Sequence, residues 1–362
     1  MSSNVGARLQ IDEPMAVDGV VDSALRPIVR KIDKDGFYPE NVLRRLGEVG
    51  AYGAHTGAPA HVGLPMAISD MASVSAVCMS TGFCMWCQDA LAWYLAKSEN
   101  QPLRQRLLDR VASGAQLGGT GLSNPMKAFS GIEPLALKGE RALGGYKITG
   151  RLPWVSNIGP DHLFASVFAL PDGRRVMATF DASDSAIKLM RSAEFIALEG
   201  TGTYTVLIKN AFVPDEDIIA EDAATFVPRI RQSFVLLQFG MGLGLARGAA
   251  NAMKTHAATA ANAAWLPLQP EIIFERAAVL EDRAATLAHT AADPSRAAFL
   301  DVLKTRLEVA ELAMSATQSA ALQAGAAGFI QGSDTNRRQR EALFVGIVTP
   351  SVKHITMELA RD

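Results

Sequence analysis

The chain has 362 residues, a formal net charge of -2, 49% hydrophobic and 20% charged residues. That length fills two or three domains with an ample core, and the composition excludes a disordered chain. Near-neutral charge without a long basic run gives no basis for a nucleic-acid or membrane-surface partner.

Residues 1–115 carry helical patterns at Asn41–Gly50, Ala90–Leu95 and Leu103–Val111. The opening MSSNVGARLQIDEP lacks the pattern of a signal peptide, and no run of about eighteen apolar residues appears, so the expected location is the cytoplasm. A Gly- and Pro-bearing loop, HTGAPAHVGLP, is expected over 55–65. Cys84 and Cys87 form a CxxC, but no second pair follows and the surrounding MSTGFCMWCQDALAWYLA is apolar. They read as small buried residues of a helix, not as metal ligands or a redox pair.

Residues 116–226 change to short alternating runs: LALKG, YKITG, LFASVFAL, RVMATF and TYTVLI, punctuated by Gly, Pro and Asp. That spacing predicts a β sandwich or barrel. Residues 227–362 return to long Ala-rich helices, over Ser233–His256, Glu271–His289 and Arg296–Gly325, with a short final one over Pro350–Ala360. FGMGLGLARG has glycine spacing reminiscent of a dinucleotide fingerprint. It follows no strand, so its glycines are expected to let two helices approach closely.

The densest chemistry lies in GYKITGRLPWVSN at 145–157. A Trp two residues before a Ser sets a flat aromatic wall beside a hydroxyl, which suits a flat redox ring. Further blocks stand around it in order: TGLSNP near residue 120, EGTGTYTVLIKNAFVPDEDII at 199–219, FGMGLGLARGAANA at 239–252, ALQAGAAGFI at 321–330 and RRQREA at 337–342.

Together these six blocks resemble the acyl-CoA dehydrogenase superfamily over nearly the whole chain. The resemblance implies an α+β multi-domain fold: an N-terminal helical domain, a middle β domain and a C-terminal four-helix bundle. It implies FAD wedged between the β domain and the bundle, in a homodimer or homotetramer whose adenine sites cross a subunit interface. It implies α,β-desaturation of an acyl thioester, with electrons passed to a transfer partner. Carried over by position, Leu122 and Ser123 meet the pyrimidine edge of the ring, Trp154 packs on it, and Ser156 bonds near N5. Ser130 lies by the pyrophosphate, and Gln323, Gly325 and Ala326 approach the adenosine diphosphate of a neighbouring subunit.

Three departures bear on the reaction. Counting from Glu341, the position of the family's catalytic carboxylate falls on Thr349, which is no base at neutral pH. The other place where some members carry it, RQSFVLLQF, has no acid, and the Arg-x-x-Phe-Gly that holds the pyrophosphate is replaced by AANAAWLPLQP. His354 is an alternative base, because His titrates in the right range, and Glu341 is the nearest carboxylate. Two other readings stand beside desaturation. One is a monooxygenase that borrows reduced flavin from a reductase and uses oxygen; the other is a non-catalytic binding protein on a flavin fold.

Overall fold

The computed structural model describes residues 16–191, 193–255 and 260–361. His256, the expected end of a helix, lies outside the described residues. Short helices α1 (Ala16–Val20), α2 (Val29–Asp35), α3 (Glu40–Glu48) and α4 (Ala54–Gly57) lead into the long α5 (Ala60–Val77) and α6 (Met79–Lys97). Helix α7 (Gln101–Ala112) follows, with the Asn100 side chain capping its first turn through the Leu103 N–H. Helix α5 starts inside the stretch expected to be a loop and contains Pro65. Packing overrides the breaker signals there: a Cβ on Gly63 would run into the carbonyl of Ala54, so this glycine serves close approach of α4 and α5. Helix α6 is buried from Met79 to Leu95, as an apolar-all-round helix must be. Cys84 and Cys87 are free, buried thiols within it.

The middle of the chain is one eight-stranded sheet: β1 (Gly118–Thr120), β2 (Leu137–Ala142), β3 (Gly145–Val155), β4 (Leu163–Ala169), β5 (Arg175–Asp181), β6 (Ile187–Met190), β7 (Tyr204–Pro214) and β8 (Ile218–Ala220). The order is β6-β7-β3-β2-β4-β5-β8, and β1 pairs in parallel with β4. Its own core gathers Leu137, Ile148, Phe164, Phe168 and Ile208. Helix α8 (Ser123–Phe129) follows β1. Pro125 is tolerated because it falls in the first turn, where backbone N–H groups have no helical partner to lose.

The C-terminal part holds α9 (Ala223–Thr255), α10 (Ala260–Ala263), α11 (Pro270–Ala288), α12 (Arg296–Ala324), α13 (Asp334–Ile347) and α14 (Val352–Ala360). Helix α9 is long and apolar enough to cross a membrane, yet its most apolar window is 94% buried inside the protein, so it is the core helix of the molecule. Gly240, Gly244 and Gly248 recur one turn apart on α9, and a Cβ on each would run into the carbonyls of Ile68, Ala72 and Ala76 on α5. The glycines of FGMGLGLARG therefore do let two helices approach, as their helical context implied. Within α13, Glu341 is fully buried and paired with Arg337 at 2.8 Å. Burial pushes its carboxyl up and Arg337 pulls it back, which makes it half of a structural ion pair.

Candidate functional site

Strand β3 alternates inward and outward until Leu152, then breaks step. A register shift between Leu152 and Val155 against β7 turns Pro153 and Trp154 outward together. Such a bulge re-aims a side chain without ending the strand. It leaves the Trp154 indole 48% exposed, unusual for so large a ring, with the Phe195 ring set edge-on to it at a centroid distance of 5.4 Å. Val155 returns inward, and the buried Ser156 follows with its hydroxyl 2.7 Å from that of Thr203. Thr203 in turn lies 2.7 Å from the Thr201 hydroxyl, so a short row of hydroxyls starts at Ser156, two residues after the indole in the chain.

At the end of β1, the Thr120 hydroxyl lies 3.0 Å from the buried Tyr94 phenol and accepts from the Leu122 N–H at 3.3 Å. The Leu122 N–H thus has an internal acceptor, and the side chain is buried. Ser123 begins α8, and its hydroxyl lies 2.8 Å from that of Thr349. This contact joins α8 to the segment between α13 and α14, across 226 positions of sequence. Gln238 of α9 donates to the Thr349 carbonyl at 2.8 Å and accepts from Arg306 Nε at 2.9 Å. Arg306 also donates to the Val345 carbonyl at 2.6 Å, near the C-terminus of α13, where a cation is favoured by the helix dipole. It is fully buried, and burial pulls its guanidinium down to about 10. The hydrogen-bonded group at Thr349 is therefore made of hydroxyls, an amide and an arginine, with no carboxylate in it.

Ser130 and His354 meet elsewhere. His354 Nε2 is 2.9 Å from the Ser130 hydroxyl and 3.7 Å from Glu358, while its Nδ1 is buried without a hydrogen-bond partner. Burial holds the His354 imidazole below its ordinary range despite Glu358. Burial also raises the Glu358 carboxyl, but the Ser130 hydroxyl and Arg296 outweigh it and hold Glu358 low. His354 thus faces Ser130 and Glu358, and this cluster fastens α14 to α8; Arg361 adds a bond to the Ser130 carbonyl at 3.1 Å.

A third group closes α12. Gln323 donates to the Met253 carbonyl at 2.8 Å, while its Oε1 is buried without a partner. Gly325 has φ +59° with open space where a Cβ would stand, and Ala326 is exposed beside it. Leu322, one residue before Gln323, is exposed. Two clefts, of about 560 and 460 Å3, lie apart from these groups: neither is lined by Ser123, Trp154, Ser156 or Thr349.

The residues present fit a flavin at both ends. An open indole face beside hydroxyls suits the ring, and an orphaned acceptor beside an uncrowded glycine suits a nucleotide. Sequence reasoning did not reach Phe195, Thr203, Tyr94, Gln238 or Arg306. Gln238 carries a signal, as a polar residue within the apolar run FVLLQFGMG.

A profile described as the acyl-CoA dehydrogenase N-terminal domain matches residues 15–115. A short-chain-specific acyl-CoA dehydrogenase of Clostridium acetobutylicum is 22% identical over 347 residues, covering 89% of each chain. A benzylmalonyl-CoA dehydrogenase of Aromatoleum aromaticum is 23% identical over 239 residues, 63% of this chain and 62% of the relative. Among solved structures, butyryl-CoA dehydrogenase from Megasphaera elsdenii shares the fold with a TM-score of 0.81 at 15% identity, covering 99% of this chain and 98% of that one. Residues 15–115 thus match an acyl-CoA dehydrogenase N-terminal domain, and over nearly its whole length the chain is similar in sequence and fold to acyl-CoA dehydrogenases.

Proposed function

We propose that the protein is an FAD-dependent oxidoreductase acting on an acyl thioester or a related small molecule, with α,β-desaturation as its reaction. The observation that carries this reading is the bulge that holds the Trp154 indole open, two residues before Ser156, whose hydroxyl is paired with Thr203. At the start of α8, Ser123 is brought onto Thr349. The bound flavin supplies the hydride acceptor. Trp154 covers the ring and keeps water from it. Ser123 and Ser156 offer hydroxyl donors to its polar edge, where developing charge is stabilised by fixed dipoles. Gln323, Gly325 and Ala326 take the adenosine diphosphate, and a homodimer or homotetramer in the cytoplasm goes with that arrangement. An electron-transfer partner would accept the electrons that a bound flavin takes up.

Desaturation also needs a proton taken from the α-carbon, and the hydroxyl of Thr349 is too weak a base for that. His354 is turned to Ser130. The absence of a carboxylate from the Ser123–Thr349–Gln238 group favours a second reading, a monooxygenase supplied with reduced flavin by a reductase, whose chemistry needs no α-proton base. One pair of measurements separates them. Loss of the oxidised flavin spectrum on adding acyl thioesters under nitrogen supports desaturation. Failure there, with oxygen-dependent hydroxylation when reduced flavin is supplied, supports the monooxygenase. A purified protein that takes up no FAD overturns both.

A further inference from the structure

Phe195 stands edge-on to the Trp154 indole although it lies at the surface. It is 37% exposed and its neighbour Ile196 69% exposed, in an irregular stretch between β6 and β7. Polar bonds anchor this stretch. The Phe195 N–H donates to the Glu199 carboxylate, and the Ile196 carbonyl accepts from Arg340 Nη1 at 2.8 Å. Further on, Leu198 takes left-handed backbone at φ +66°, a conformation that a branched side chain rarely adopts unaided. Gly200 packs so closely on the end of α2 that a Cβ there would run into the Phe37 carbonyl. The stretch then reaches Thr203, whose hydroxyl meets that of Ser156.

Arg340 is itself held from several sides. Its Nη1 and Nη2 take the two carboxylate oxygens of Asp33 on α2 at 2.9 and 2.6 Å, and its Nε donates to Asn336 Oδ1 at 3.0 Å. The Asp33 side chain is nearly buried. A guanidinium in such a planar fork cannot turn without breaking several charge-assisted bonds at once. We propose that Arg340 is a positioning residue for the ring face, setting Phe195 against Trp154 and Thr203 against Ser156 through the Ile196 carbonyl, a role that rests on the flavin reading above.

Helix α13, which carries Arg340, ends at Ile347, two residues before Thr349. The same helix therefore leads into the Ser123–Thr349 contact and, through Arg340, holds the aromatic face. Lysine is not equivalent at this position. It keeps the charge opposite Asp33, but its point-like ammonium cannot hold both carboxylate oxygens and the Ile196 carbonyl in one plane. With lysine there, the exposed stretch loses a polar anchor and Phe195 leaves the indole.

Two readouts test this, one of them without flavin. Of the four tryptophans, Trp86 and Trp93 are buried, so Trp265→Phe leaves Trp154 as the indole open to a quencher. In that flavin-free background, Arg340→Lys is expected to raise acrylamide quenching of Trp154 to the level reached by Phe195→Leu. In the otherwise wild-type chain, either variant is expected to weaken FAD binding about three- to tenfold, the scale of one aromatic pair. Because both act on the same ring, the double variant binds no more weakly than the more affected single one. Asp33→Asn, which loosens Arg340 without replacing it, shifts both readouts the same way and serves if Arg340→Lys does not fold. Unchanged quenching in folded variants overturns the proposal, and so do additive losses of FAD affinity. A wild type that takes up no FAD overturns the flavin reading and the role with it, whereas unchanged quenching in a protein that binds FAD overturns the role alone.

Discussion

Trp154 owes its exposure to the residues on either side of it. Leu152 and Val155 both point into the sheet core, and the extra residue between them leaves Pro153 and the indole outside. A ring held open in this way binds a flat ligand without first breaking contacts in the core. Trp154→Ala is therefore expected to weaken FAD binding about tenfold, from lost stacking, while leaving the unfolding midpoint nearly unchanged. A fluorescence titration with FAD reads this, and equal affinity removes Trp154 from the ring face. Gln238 is the converse case, a residue that satisfies others. Gln238→Leu strips the acceptor from the Arg306 Nε and the donor from the Thr349 carbonyl, both inside the protein. Leaving a buried cation short of a partner is costly, so a loss of about 3 kcal/mol is expected in urea unfolding. A loss below about 1 kcal/mol, the scale of a single ordinary bond, counts against this linkage.

Among the elements, α9 is the one on which the others are assembled. Its glycine face meets the α5 backbone, and elsewhere its Phe234 ring meets Trp86 and its Gln238 holds Thr349. A methyl group at Gly244 has nowhere to go, since backbone and not a flexible side chain stands in its way. Gly244→Ala is expected to destabilise by about 2–3 kcal/mol through overpacking, against the small gain that alanine brings to an unconstrained helix. Thermal unfolding decides the sign; a raised midpoint means that the helices do not touch there. Helix α5 shows why local breakers mislead. Its Gly63 and Pro65 resemble loop residues, yet Gly63 is selected by the nearness of Ala54, a contact invisible in the local sequence.

At the scale of the whole molecule, the helical core places a His–Asp pair far from water. His55 Nε2 lies 3.0 Å from the Asp89 carbonyl, and burial lowers its imidazole from 6.5 to about 4. Between those values the unfolded chain takes up a proton that the folded one refuses. The contribution of His55 to stability is therefore full above the ordinary histidine range and falls as pH drops toward 4, by about 3 kcal/mol, while burial raises the Asp89 carboxyl and acts in the opposite direction. Urea unfolding at several pH values measures that slope, and His55→Gln is expected to flatten it; an unaltered slope assigns the acid sensitivity to other groups.

The sequence by itself determined the alternation of helices, strands and helices, because those periods are local. It also determined the helix-approach role of the α9 glycines and the neighbouring positions of Trp154 and Ser156. Only the tertiary structure decided that Ser123 meets Thr349, that His354 turns to Ser130 and that Arg306 is held by Gln238. Periodicity records which face of an element is buried, whereas these contacts join residues far apart in the chain and exist only once the elements have packed.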